Sequence, residues 1–115
     1  MNLRIRWTPI ALLSLSEVFE YTIEEFGERQ LRSLKTQISS TARRIASFPG
    51  LGKHEADLAR TTGIDYRSIP VISEIKLLYT VSEDTIFVEF VKNARMNDAT
   101  MLEKMGQDNN NRGNS

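Results

Sequence analysis

The chain has 115 residues and a mass of 13.1 kDa, enough for one domain with a genuine core. Its 15 basic and 15 acidic residues cancel, which argues against a protein that lives by gripping phosphate backbones, although a local basic patch stays open. Cysteine is absent, excluding disulfides, thiolate catalysis and cysteine metal sites, and no apolar run approaches the roughly 20 residues of a membrane span.

The first residues carry no signal-peptide apolar stretch, so the expected location is cytoplasmic. Leu3, Ile5 and Trp7 alternate with Arg4 and Arg6, the period of a half-buried strand. Thr8-Pro9 reads as a helix N-cap followed by proline at the first helical position. Ala11, Leu12, Leu15, Val18, Phe19, Ile23 and Phe26 then recur at helical spacing, and Gly27 ends the helix. A second helix has Leu31, Leu34, Ile38, Ala42, Ile45 and Phe48 as its stripe and stops at Pro49-Gly50. So short a connection makes the two an antiparallel helical hairpin.

Residues 51–65 form a polar connector punctuated by Gly52 and Gly63, with a helical turn over 54–60. A strand follows over 66–72, in which Pro70 calls for a bulge or a sheet edge. Ile75, Leu77, Tyr79 and Val81 alternate with Lys76, Leu78 and Thr80, and Ile86, Val88 and Phe90 alternate with Phe87, Glu89 and Val91. Pairing Val81 with Ile86 across Ser82–Thr85 sets Tyr79 opposite Val88 and Leu77 opposite Phe90, so both apolar sets share the face the helices cover. A short helix over 98–105 places Met101, Leu102 and Met105 on one side, and 106–115 is a polar tail expected to be disordered.

Most motif-like pieces have ordinary explanations. Gly50-Leu51-Gly52-Lys53 lacks the spacing and the Ser/Thr of a phosphate loop and follows a helix, so it reads as a helix-terminating turn. His54 has no second ligand nearby, and no metal site is expected. Glu24, Glu25 and Glu28 read as a solvated helix face. The cations Arg67, Lys76, Lys92 and Arg95 are more informative, because three adjacent strands or their ends could bring them to one surface. Surface ion pairs with Glu74 and Glu89 would account for them equally well.

The layout resembles the RelE/ParE superfamily of type II toxin–antitoxin toxins over about residues 3–105. The resemblance rests on Trp7 before the Thr8-Pro9-Ile10-Ala11 helix start, and on Phe48-Pro49-Gly50-Leu51-Gly52 closing the hairpin. Tyr66-Arg67 opening a strand, Tyr79 in the next, and Arg95 just past the last complete it. It implies an α+β fold over 1–105: an N-terminal strand, an antiparallel helical hairpin packed on a small antiparallel sheet, and a short C-terminal helix. It also implies a growth inhibitor of the plasmid-stabilization kind, neutralised by a cognate antitoxin in a hetero-oligomer, with no cofactor.

The resemblance carries two targets. The RelE-like branch cleaves mRNA on the ribosome without a metal, using cations to stabilise the phosphorane and a group to move protons. Lys76 falls where that branch has arginine, and Arg95 matches its second arginine. Two of its lysine positions fall on Ile69 and Val71, its C-terminal tyrosine on Met101, and Asn93 stands where other members carry histidine. The ParE-like branch inhibits DNA gyrase and needs no such set. The long hairpin, the neutral charge and the missing acid/base group favour it. The expected functional surface is Arg67, Lys76 and Arg95, and the expected partner-docking segment is Met101, Leu102 and Met105. The alternatives are a ribosome-dependent endoribonuclease built on Lys76, Arg95 and Asn93, and a degenerate member that only binds antitoxin.

Overall fold

The computed structural model describes residues 2–113, with side chains described through residue 106. Strand β1 (Arg4–Trp7) leads into helices α1 (Pro9–Phe26) and α2 (Glu28–Ser47), then a 3-10 turn at Pro49–Leu51. Strand β2 (Lys53–His54) and helix α3 (Ala56–Thr62) precede β3 (Arg67–Ile72), β4 (Ile75–Ser82), β5 (Thr85–Asn93) and helix α4 (Asp98–Gly113). The strands form one sheet in the order β1-β5-β4-β3-β2. The α+β class, the hairpin and the C-terminal helix are as the sequence predicts.

Local chemistry explains the hairpin. The Thr8 hydroxyl accepts the Ala11 N–H at 3.1 Å, and Pro9 supplies a preset φ where no N–H is needed. Gly27, at φ 88°, is the whole connection between α1 and α2. A backbone turn there needs a positive φ, which glycine adopts without a Cβ clash.

The sheet differs from the expected antiparallel one at its edge. Strand β1 runs parallel to β5, with Ile5 opposite Ile86 and Trp7 opposite Val88. The amide of Arg4 bonds the Asp84 carbonyl at 2.8 Å and that of Thr8 bonds Val88 at 3.1 Å, holding β1 to β5 from end to end. Alternation reveals which side chains face the core, but not which neighbour a strand takes or in which direction. The remaining neighbours pair antiparallel.

A bulge in β5 changes the core. Val81 pairs with Ile86 and Tyr79 with Val88 as expected, but Leu78, not Leu77, faces Phe90, and Leu77 faces Val91. One extra residue on β5 therefore moves Phe90 to the other face of the sheet. Helix α1 stabilises the irregularity. The buried Ser14 hydroxyl accepts the Val91 N–H at 2.9 Å while donating to the Ala11 carbonyl, and Thr8 Oγ1 donates to Glu89 O at 3.4 Å.

Both faces of the sheet are consequently buried. Under the hairpin, Val18, Leu34, Ile38 and Ile45 pack on Leu77, Tyr79, Ile86, Val88 and Val91. On the opposite face, Phe90 and Leu78 pack with Leu58, Tyr66, Met101 and Met105, bringing α3 and α4 onto the sheet. Burying each large aliphatic or aromatic side chain contributes about 1.5–3 kcal/mol, so the second cluster is a substantial share of the fold.

Several stripe residues lie outside either core. Leu12, Phe26 and Phe48 are 53%, 62% and 68% exposed. The buried line of α1 is Ala11, Ser14 and Val18, centred on a serine that an apolar count passes over. Pro70 has both of its predicted explanations. The β3–β4 register shifts between Pro70 and Ile72, and β2 covers only Arg67 and Ser68 of β3. The strand β2 was not anticipated, and α4 runs past Met105 to Gly113. For the expected tail, the side chains of 107–113 and the whole of 114–115 lie outside the described residues.

Candidate functional surfaces

Arg67 does not stand out as a free cation. It pairs across the sheet with Tyr79, and its Nη1 donates to the carbonyls of Gly52 at 2.8 Å and Gly50 at 3.4 Å. The fully buried Tyr79 hydroxyl donates to the Pro49 carbonyl and accepts the Gly52 N–H, both at 2.8 Å. Burial pushes the Tyr79 pKa above its usual 10.0, partly offset by the Gly52 hydrogen bond and the Arg67 charge. Arg67 and Tyr79 together fasten the loop that follows α2, a structural task.

Lys76 projects from the opposite face of the sheet. Its cross-strand partner is Lys92, and with Lys53 they line a pocket of about 160 Å³ that also contains Ser68, Glu55 and Asp98. Like charges set opposite one another disfavour the pair unless anions intervene. Lys92 is neutralised by Asp98 at 2.7 Å, and Glu55 accepts from the Ser68 hydroxyl. Among the described residues, Lys76 and Lys53 have no ion pair.

Arg95 lies on the hairpin side. Its guanidinium carbon sits 5.5 Å from the ring centroid of Tyr21, which meets Phe26 edge-on at 6.2 Å. These residues border a groove of about 590 Å³ between the hairpin and the ends of β4 and β5, with Glu17, Leu34 and Glu74 also on its walls. Asn93 Oδ1 accepts the N–H groups of Arg95 at 3.0 Å and Met96 at 3.1 Å, so its carboxamide oxygen caps the turn after β5. Lys76 and Arg95 thus line separate hollows on opposite faces of the sheet.

Met101 and Met105, expected to dock a partner, are 1% and 4% exposed in the second core, and Leu102 packs beside them. They anchor α4, which Lys104 further ties to Glu17 at 3.8 Å. A partner meets these methionines only where α4 itself gives way. The groove bordered by Tyr21, Phe26 and Arg95 escaped the sequence reading, because Phe26 looks like a core position of the helical stripe. The one available signal was Tyr21, an aromatic outside that stripe.

Other chemistry is sparse. His54 Nδ1 lies 2.7 Å from Asp65 Oδ1 in a solvent-exposed pair. Among the described residues, no group of three His, Cys, Asp or Glu side chains is placed to hold a metal, and no helix is long and apolar enough to cross a membrane.

Comparison with known proteins agrees with this architecture. Residues 5–97 match the family model described as the ParE toxin of the type II toxin–antitoxin system parDE. No curated protein sequence matches the chain. Among solved structures, a chain of the chromosomal ParDE TA system from P. aeruginosa superposes with a TM-score of 0.63 at 12% identity, covering 80% of this chain and 96% of that one. At that identity the likeness is one of fold. The family match spans most of the chain, and the strand–hairpin–sheet order is that of the superfamily its sequence resembles: the chain belongs to the ParE toxin family of type II toxin–antitoxin systems.

Proposed function

We propose that this protein is a growth inhibitor that acts by binding DNA gyrase and is held inactive by a cognate antitoxin in a cytoplasmic hetero-oligomer. The observation that carries the reading is the separation of Lys76 from Arg95 by the thickness of the sheet. A phosphorane formed during RNA cleavage needs its cations within hydrogen-bond reach of one phosphate. The position of a proton-transferring tyrosine is taken by Met101, buried in the core. The groove beside Tyr21, Phe26 and Arg95 suits an apolar antitoxin segment carrying a carboxylate toward Arg95.

The test is a supercoiling assay with purified gyrase and purified toxin. Inhibition that is reversed by the antitoxin encoded beside the toxin gene supports the proposal; full gyrase activity at excess toxin counts against it. The endoribonuclease reading is favoured by one feature, the grouping of Lys53, Lys76 and Lys92 around a polar hollow. Ribosome-dependent mRNA cleavage lost in Lys76→Ala would establish it.

A further inference from the structure

The zero net charge of the chain hides a division between its first two helices. Helix α1 carries four carboxylates, Glu17, Glu20, Glu24 and Glu25, and no cation. Helix α2 carries five cations against the single carboxylate of Glu28. Surface helices commonly gain about 0.2–0.5 kcal/mol from each pair of opposite charges set four residues apart. Glu28 and Arg32 have that spacing, yet no cation of α2 has an ion pair among the described residues. Lys35 lies over the Phe19 ring, its Nζ 5.2 Å from the centroid.

The other four cations are Arg29, Arg32, Arg43 and Arg44, all exposed. At 3.6 residues per turn they fall within an arc of about 120°, opposite the buried Leu34, Ile38 and Ile45. Arg29 and Arg32 stand near the start of α2, and Arg43 and Arg44 near its end, about 20 Å further along at 1.5 Å per residue. Between them the same face presents the hydroxyls of Thr36 and Ser40. None of the four arginines lines the Tyr21–Phe26 groove or the lysine hollow.

That arrangement selects the occupant. Guanidinium forks bind phosphate oxygens bidentately, and serine and threonine hydroxyls add contacts to the same backbone. A folded protein offers carboxylates at scattered points. Duplex DNA offers a phosphate charge about every 1.7 Å of its axis, without a break along the whole arginine row. A membrane surface fits poorly, because the apolar face of α2 is already buried against the sheet. We propose that the outer face of α2 grips the phosphate backbone of duplex DNA without regard to sequence. The toxin thereby holds the DNA on which gyrase acts, a role that rests on the gyrase reading above.

The experiment titrates the full chain into a fluorescein-labelled duplex of about 20 base pairs and follows anisotropy between about 50 and 200 mM potassium chloride. Two duplexes of unrelated sequence should bind within ~2-fold of each other. Affinity should fall ~100-fold over that salt range, as about four phosphate contacts require. The variant Arg29→Gln, Arg32→Gln, Arg43→Gln, Arg44→Gln keeps helix propensity, so its urea midpoint should hold while binding at low salt weakens by at least ~30-fold. Lysine at the same four positions should restore binding to within ~10-fold of the parent. The glutamine variant should also inhibit gyrase at least ~10-fold more weakly. No binding at low salt, or binding that survives the glutamine variant, would overturn the inference. Tighter binding to a single-stranded RNA or an oligoglutamate of equal charge would overturn it too. A glutamine variant that inhibits gyrase as strongly as the parent would overturn the tie to gyrase. Duplex binding by a toxin that leaves gyrase fully active supports the α2 surface and counts against the functional reading alone.

Discussion

Tyr79 fills the space that a side chain at position 52 would need. A Cβ built on Gly52 would lie 2.6 Å from the Tyr79 hydroxyl oxygen, 2.7 Å from Tyr79 Cε1 and 2.9 Å from the Ser68 carbonyl oxygen. The Phe48–Gly52 turn that marks this family in the sequence is therefore a packing constraint. Glycine lets the backbone close on a buried phenol, and the phenol in turn satisfies the Gly52 N–H and the Pro49 carbonyl.

Gly52→Ala should accordingly destabilise the protein by about 1–3 kcal/mol, because ring and backbone must both move. Gly50→Ala, where a Cβ would meet nothing within 4 Å, should stay within about 0.5 kcal/mol of the parent. Urea unfolding midpoints of the two variants give the comparison directly.

Tyr79→Phe leaves the Gly52 N–H and the Pro49 carbonyl without their partner, at a cost of about 1–3 kcal/mol near neutral pH. The folded-state pKa of Tyr79 is raised, so the folded protein favours the neutral phenol. Its contribution is fully present below the unfolded value of about 10 and is lost as pH rises through the higher folded value. The stability gap between parent and Tyr79→Phe should narrow over that alkaline window. A gap that is constant with pH would contradict the assignment.

Ser14→Ala should destabilise by about 1–3 kcal/mol, more than its small size suggests, since it leaves the Val91 N–H buried and unpaired beside the bulge. Ser16→Ala, on an exposed turn of the same helix, should change the unfolding midpoint little.

The same serine explains what the sequence could and could not reveal. Thr8-Pro9, Gly27 and the Val81–Ile86 pairing depend on chemistry within a few residues, and all three are legible. The bulge is not, because Glu89, Phe90 and Val91 suit either register and the choice is made by Ser14, 77 positions away. The candidate surface failed to converge for a related reason. Arg67 shares a face with Tyr79 while Lys76 takes the other, a parity hidden behind the register shift at Pro70. The buried methionines follow from Phe90, which the bulge turns toward α4 and so provides the second core they join.

Lys76→Ala should leave growth inhibition within about 2-fold of the parent, because Lys76 is indispensable only if the protein cleaves RNA, where it would stabilise the scissile phosphate. Arg95→Ala, which removes the cation stacked on Tyr21, should weaken antitoxin binding by at least ~10-fold. Titration calorimetry with the antitoxin and growth curves after induction check the two halves separately.

The central claim is tested most directly by inducing the toxin without antitoxin while following growth, mRNA 5′ ends and DNA supercoiling in the same cells. The account predicts arrest with intact transcripts and relaxed or broken DNA. Arrest with new codon-linked 5′ ends and unchanged DNA topology would contradict it.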